Sequence, residues 1–312
     1  MKKTIVILGN SQLAFFVNKL INDSLGSLAH IDVLWITNTD KIFPVAHKPF
    51  SIKTGYGKLL NSSIKSVNLR DRRIITAKKV VNYDLLFIDQ TPVFNSKERE
   101  KITDQLETLI STVRAKENSG VAAKARVVFD GQSADMYQLA LNLAKRLERD
   151  SSQSVSSIRV EAGIGSGKLA EFFKDNGVFS RKTQYPGIIV KRPLPVFSSK
   201  KIRGLRVDLS GRAITLVTGE PGDHNNVIIV DDEDRGLQNI ARADWSLAKT
   251  IAKNVEAKLD GGLEKPIETD GVKLLIASSS ACFVEFGSIK SARARSRVIL
   301  SLDRSFWSRF FR

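Results

Sequence analysis

Two short turns have the residue types and spacing to hold a dinucleotide. The first, Gly9-Asn10-Ser11-Gln12-Leu13-Ala14, follows an apolar run from Thr4 to Leu8. The second, Gly131-Gln132-Ser133-Ala134-Asp135-Met136, follows another from Arg126 to Phe129. A dinucleotide-binding turn reads G-x-G-x-x-G/A. Its first glycine makes the tight turn. Its second lets the pyrophosphate approach the backbone and the helix N-terminus. Its third lets the helix pack on the strand. Here the first glycine stands in both turns, as Gly9 and Gly131. The second is serine in both, as Ser11 and Ser133. The third position holds Ala14, which the pattern admits, and Met136, which it does not. A serine Cβ at the approach position pushes phosphate away, while its hydroxyl could donate a hydrogen bond. Thr37 and Asn38 stand where an acidic residue would meet the ribose, and Asp40 comes late. The alternative is that both are ordinary strand-to-helix turns.

Other chemistry is thin. Gly163-Ile164-Gly165-Ser166-Gly167-Lys168-Leu169 resembles a phosphate-binding P-loop only superficially, since Ala162 and Leu169 stand where Gly and Ser or Thr are required. It reads as a turn before a helix. His30, His47 and His224 are scattered without ligand spacing, and no metal is expected. The acidic run Asp231-Asp232-Glu233-Asp234 suits a solvated loop better than a cation site. The single cysteine, Cys282, excludes an internal disulfide and a Cys-pair redox centre, and fits a reducing, cytoplasmic setting.

The turns sit within repeated strand–helix–strand units. Leu13, Phe16, Val17, Leu20 and Ile21 recur along one helical face after the first turn, and Asp32 to Ile36 is the next strand. Met136, Leu139, Ala140, Leu143 and Leu147 do the same after the second turn, leading to a strand from Ile158 to Glu161. Ile64 to Thr76, with Arg70-Asp71-Arg72 at its centre, suits a hairpin in a small meander. Leu85 to Ile88 is a buried strand, and Ile102 to Val113 is a helix closed by a polar linker, Lys116 to Gly120. Gly187 to Val190 and Val227 to Val230 are further strands. A helix ends at Gly261-Gly262, and Val272 to Ala277 pairs antiparallel with Ala281 to Phe286. Alternating strands and helices predict parallel sheets in an α/β protein.

The 312 residues suit two domains. The net charge of +16 is unevenly spread. Residues 1–150 hold 23 basic and 15 acidic residues, and residues 288–312 hold 7 and 1. In that tail Arg304, Phe306, Trp307, Arg309, Phe310 and Phe311 interleave cations with rings. Such a helix suits an anionic membrane surface. It equally suits a helix docked on its own domain with a basic outer face. Nucleic-acid binding is the lesser alternative, because the basic balance permits it and no motif supports it. No apolar run approaches the ~18 residues of a spanning helix. The apolar start ends too early for a cleaved signal and reads as a strand.

This order is carried by Ile5-Val6-Ile7-Leu8-Gly9, Tyr83-Asp84-Leu85-Leu86-Phe87-Ile88, Val127-Val128-Phe129-Asp130-Gly131, Leu169 to Val178, Val230-Asp231-Asp232 and the helix from Ala241 to Leu259. It resembles the two-dinucleotide-fold flavoprotein reductases of the pyridine nucleotide-disulfide oxidoreductase superfamily, and most of all type II NADH:quinone oxidoreductases. The resemblance implies two Rossmann-like domains, the second inserted in the first. Residues 1–108 and 221–262 would be FAD-like, 109–220 NAD-like, and 263–312 a C-terminal strand pair with a membrane-facing tail. It further implies a peripheral-membrane flavoprotein passing electrons from NAD(P)H to a quinone. Gly9, Ser11 and Ala14 would cradle the FAD pyrophosphate, Asp232 would hold the ribityl chain, and Gly131 and Ser133 would approach NAD(P)H. Its partners would be an anionic membrane, a quinone and a second copy in a homodimer. The family's strand-end Ala-Thr-Gly is Asp89-Gln90-Thr91 here, and the glycine of its Gly-Asp pair is Asp231. A competing reading is therefore a cofactor-free pseudoenzyme of the same fold, acting as a membrane-associated scaffold.

Overall fold

Strands covered on both faces need no polar alternation, and the central runs KTIVIL, LLFID and VIIV have none. In the computed structural model they lie side by side. The structure describes residues 2–309 apart from 46, 53–56, 122, 150–156, 165–166, 181–186, 194–200, 208–212, 217, 231–238, 268–272, 279, 287–288 and 292–293. In chain order the first part holds β1 (Lys3–Leu8), α1 (Gln12–Leu25), β2 (Ile31–Thr37), β3 (Lys41–Ile42), β4 (Phe50–Ser51), β5 (Lys58–Asn61), β6 (Ile64–Asn68), β7 (Arg73–Thr76), β8 (Val80–Asn82) and β9 (Leu85–Asp89). Then follow α2 (Ser96–Asn118), β10 (Ala125–Asp130), α3 (Ala134–Arg149), β11 (Ile158–Ala162), α4 (Lys168–Asp175), β12 (Val178–Ser180), β13 (Gly187–Lys191), β14 (Ile202–Arg203) and β15 (Val227–Val230). The chain closes with α5 (Ala241–Asp260), β16 (Lys273–Ala277), β17 (Cys282–Phe286), β18 (Ile289–Ser291) and α6 (Ala294–Ser308).

The first sheet is parallel, in the order β15-β9-β1-β2-β5. Alternate β1 side chains serve opposite layers. Ile5 and Ile7 join α1 and α5 on one face, while Val6 and Leu8 join the meander β6-β7-β8 on the other. The second sheet, β12-β11-β10-β13, is also parallel and packs on α3 and α4. Its strands come between β9 and β15 in sequence, so the second Rossmann-like domain is inserted in the first. The antiparallel sheet β16-β17-β18 turns Leu274, Ile276 and Phe283 toward the second domain. It turns Leu275 and Val284 toward Ile299 and Leu300 of α6.

The boundaries shift from those expected. The helix expected over 102–113 runs from Ser96 to Asn118, so a border at 108 would cut it. Its start is fixed by a capping box between Asn95 and Glu98, which satisfies two backbone donors reciprocally. At the other border, β14 already pairs with β6 of the first domain, well before residue 220.

The tail requires a correction. Trp307, expected to face a membrane, is 0% exposed. Its ring stacks on Phe16 with centroids 5.0 Å apart and packs on Phe50 at 5.4 Å and Phe15 at 6.2 Å. Phe306 is half-buried against Phe16 and Trp245. Burying large rings is favourable wherever an apolar surface is free, and the face left by α1 and β4 supplies one. Arg304 and Arg309 remain exposed, and Phe310 and Phe311 lie outside the described residues.

Candidate functional site

Parallel pairing sets the first turn. β1 lies between β2 and β9, with Leu8 opposite both Ile36 and Ile88, so Gly9 emerges beside Asp89. A Cβ at Gly9 would stand 2.7 Å from the Ala14 Cβ and 2.9 Å from the Asp89 Cβ, which is why only glycine fits there. The Trp35 indole donates to the Gly9 carbonyl at 3.0 Å and fixes the turn from the β2 side. Ser11 is the N-cap of α1, in extended backbone geometry, and its Oγ accepts from the N–H of Leu13 at 3.0 Å and of Ala14 at 3.4 Å. The same hydroxyl donates to Asp89 Oδ2. Asp89 Oδ1 accepts from the Thr91 N–H at 3.0 Å and from the Thr91 hydroxyl.

Next to it, Asn10 seals the end of β2. Its Oδ1 accepts from Thr37 Oγ1 at 2.7 Å and from the Asn38 N–H at 3.1 Å. Its amide nitrogen donates to Asn38 Oδ1. The position where a carboxylate would meet a ribose is thus a closed amide cluster. Gln12 ties the first turn of α1 to α5 by donating to Asp244 Oδ2 at 2.6 Å. The start of α5 is held by Asp303 of α6, whose Oδ1 accepts from the Ala241 N–H at 2.7 Å. Burial, with Asp244 nearby, pushes the Asp303 carboxyl up to about 7.

The second turn is closed differently. Gly131 has φ +120°, and a Cβ there would stand 2.8 Å from the Arg192 Cβ. Ser133 is fully buried and accepts from the Met136 N–H at 3.2 Å. Met136 is buried in the core of the second domain. Asp135, in the first turn of α3, accepts from the Phe94 N–H at 2.9 Å and pairs with Arg99 at 2.6 Å.

Both turns border one cleft, with Asn10, Ser11 and Gln12 on one side and Ala134 and Asp135 on the other. Its volume is about 50 Å³. Small-molecule sites are typically about 300–1,000 Å³. The residues present do not fit a dinucleotide diphosphate. In the first cradle Ser11 holds the helix N–H groups and a buried carboxylate stands behind it, which repels a second anion. In the second, Met136 replaces the packing glycine and Asp135 brings another carboxylate to the helix start.

The structure therefore brings Gly9, Ser11 and Ala14 together in one turn, and Gly131 and Ser133 in the other, across a narrow cleft. Asp232 and the rest of the run 231–234 lie outside the described residues. Sequence reasoning missed the roles of Asp89, Asp135, Asp244 and Asp303. The available signal was an acid at the end of a buried apolar run, Asp89 after Leu85 to Ile88. Its meaning depends on which strand lies alongside. Among the described residues no helix is long and apolar enough to cross a membrane, and no three His, Cys, Asp or Glu side chains converge on a metal position.

No protein-family model matches the sequence, and no curated protein is similar to it in sequence. Solved structures are similar in fold. The sulfide:quinone oxidoreductase of the hyperthermophilic bacterium Aquifex aeolicus superposes with a TM-score of 0.69 over 97% of this chain and 90% of its own, at 10% identity. A chain of the Tetrahymena thermophila mitochondrial ATP synthase gives 0.61 over 99% and 94%, also at 10% identity. A pyridine nucleotide-disulfide family oxidoreductase from Enterococcus faecalis V583 gives 0.53 over 91% and 74%, at 12% identity. Two parallel sheets, the second in a domain inserted in the first, and these likenesses agree: the chain has the two-dinucleotide-binding-domain fold of the pyridine nucleotide-disulfide oxidoreductases.

Proposed function

We propose that this protein is a non-catalytic member of that fold, a binding or scaffold protein that takes up neither FAD nor NAD(P)H. One observation carries the reading. The Ser11–Asp89 pair fills the first cradle with a serine cap and a carboxylate, where a flavin dinucleotide would place its own negative charge. The likeness to a chain of the Tetrahymena ATP synthase, nearly end to end, supports a place as a subunit of a larger assembly. Fold alone assigns no chemistry, so the site decides. The visible spectrum of the purified protein tests it. A colourless protein that stays colourless after incubation with FAD is expected, and flavin absorbance would sink the reading.

The outward face of α6 supports an anionic membrane surface as one partner. Arg297 and Arg304 are exposed there with Val298 and Leu302, which are 58% and 55% exposed, and Arg309 is exposed just past its end. The only acidic residue of the tail, Asp303, points inward and caps α5. Guanidinium groups would meet lipid phosphate while the aliphatic pair enters the headgroup boundary. Co-sedimentation with phosphatidylserine vesicles should be lost in an Arg304→Glu, Arg309→Glu double variant and weakened by salt. Undiminished sedimentation would place the contact elsewhere.

The second reading is an FAD-dependent NAD(P)H oxidoreductase with a quinone acceptor. The likeness to the sulfide:quinone oxidoreductase, the higher-scoring of the three superpositions, favours it. Oxidation of NADH coupled to reduction of a soluble quinone would establish it.

A further inference from the structure

In sheets of this kind ligands bind beyond the carboxyl ends of the strands, and diphosphates sit at the start of the first helix. Asp89 is the last residue of β9, at that end of the sheet and beside Gly9. It is 1% exposed. Its Oδ2 lies 3.2 Å from where a Gly9 Cβ would be, so it occupies the space against the turn. A buried carboxylate is costly unless it is hydrogen-bonded. This one has three donors: the Ser11 hydroxyl on one oxygen, the Thr91 N–H and hydroxyl on the other. The Ser11 oxygen in turn accepts the N–H groups of Leu13 and Ala14. The negative charge is thereby coupled, through one hydroxyl, to the positive end of α1.

We propose that Asp89 is the resident anion of the first cradle. The chain's own carboxylate takes the position that a dinucleotide diphosphate would take, so the ligand has been replaced from within. This rests on the cofactor-free reading. It goes beyond it in stating what does the ligand's structural task, which is to balance the start of α1 and hold β1, β9 and α1 together. The two serines differ in this respect. Ser133 caps α3 without a carboxylate from a neighbouring strand among the described hydrogen bonds.

The test is chemical rescue in the full-length chain. Removing the anion with Asp89→Ala leaves Ser11 and Thr91 as donors around a vacancy. Thermal unfolding is measured with increasing inorganic pyrophosphate against sodium chloride at matched ionic strength. The wild-type midpoint should not respond beyond the salt control. The Asp89→Ala midpoint should start lower and rise saturably with pyrophosphate. Asp89→Asn keeps the shape and loses the charge, so it guards against a variant that fails to fold. Its midpoint should also fall, without rescue, because the amide still fills the space. A wild-type protein that responds to pyrophosphate, an Asp89→Ala protein that does not, or an Asp89→Asn protein as stable as wild type would each overturn the proposal. Failure of rescue with a colourless wild-type protein overturns this inference alone. A flavin-loaded wild-type protein overturns the cofactor-free reading as well.

Discussion

The two glycine turns begin alike and end differently. Both keep a glycine after the strand and a serine two residues on, and each serine caps its helix. In the first, the small Ala14 is retained and the charge comes from a neighbouring strand through Asp89. In the second, the helix is anchored by filling, with Met136 in the core, and by a pair between Asp135 and Arg99 of α2. The comparison teaches that one strand-to-helix geometry can be stabilised by two unrelated means. The first cradle keeps the shape of a phosphate site and substitutes its ligand. The second gives up the shape.

The largest expected effect separates them by packing. Met136→Ala should destabilise by about 2–5 kcal/mol, the usual range for an emptied core position. The matching position of the first turn is already alanine, so no equivalent loss exists there. Denaturant unfolding of the full chain checks it, and a loss well under 1 kcal/mol would mean that Met136 is not what fills the second unit.

Next comes coupling. Asp89→Ala should cost about 1–3 kcal/mol by stranding buried donors. Because Ser11 acts together with Asp89, the Ser11→Ala, Asp89→Ala double variant should lose less than the sum, by about 0.5–3 kcal/mol. Ser133 and Asp135 bond to different groups, so their double variant should show less coupling than Ser11 with Asp89. Equal coupling in the two turns would break the comparison.

Much of the fold was legible in the sequence, because strands buried on both faces are plain apolar runs and helices keep their period. Leu85 to Ile88 and Val227 to Val230 are such runs, and α1 and α3 show such faces. The content of the cradle was not legible. Asp89 gains its role only when β9 lies against β1 in register, and sequence spacing does not state which strands are neighbours. Trp307 was misplaced for a related reason. Arginines and rings on one helix suit a lipid surface and an apolar groove equally, and the groove here is built by Phe15, Phe16 and Phe50, all more than 250 residues away in sequence. A domain border at 108 would fall inside α2, where nothing breaks the helix.

A pH-dependent effect concerns the third helix start, that of α5, where the carboxylate comes from the C-terminal helix. The Asp303 carboxyl is raised to about 7 from 3.8. The folded protein therefore holds a proton that the unfolded chain releases between those values, and this group's contribution to stability falls as pH rises from about 4 to about 7. Above 7 both states are ionised and the contribution is flat. The melting-temperature profile of Asp303→Asn should lack that decline, and an unchanged profile would show that Asp303 does not titrate in this window.

The smallest stability effect belongs to the cap of the second turn, where Ser133→Ala should cost about 1 kcal/mol. A much larger loss would mean that the second cradle depends on its serine as the first does.

The central claim is that the first cradle is already full. Equilibrium dialysis of the wild-type protein against FAD tests it most directly. The account predicts equal flavin concentrations on both sides of the membrane at every concentration of protein. Saturable retention of one FAD per chain would contradict it, because Asp89 would then have to leave the place it occupies.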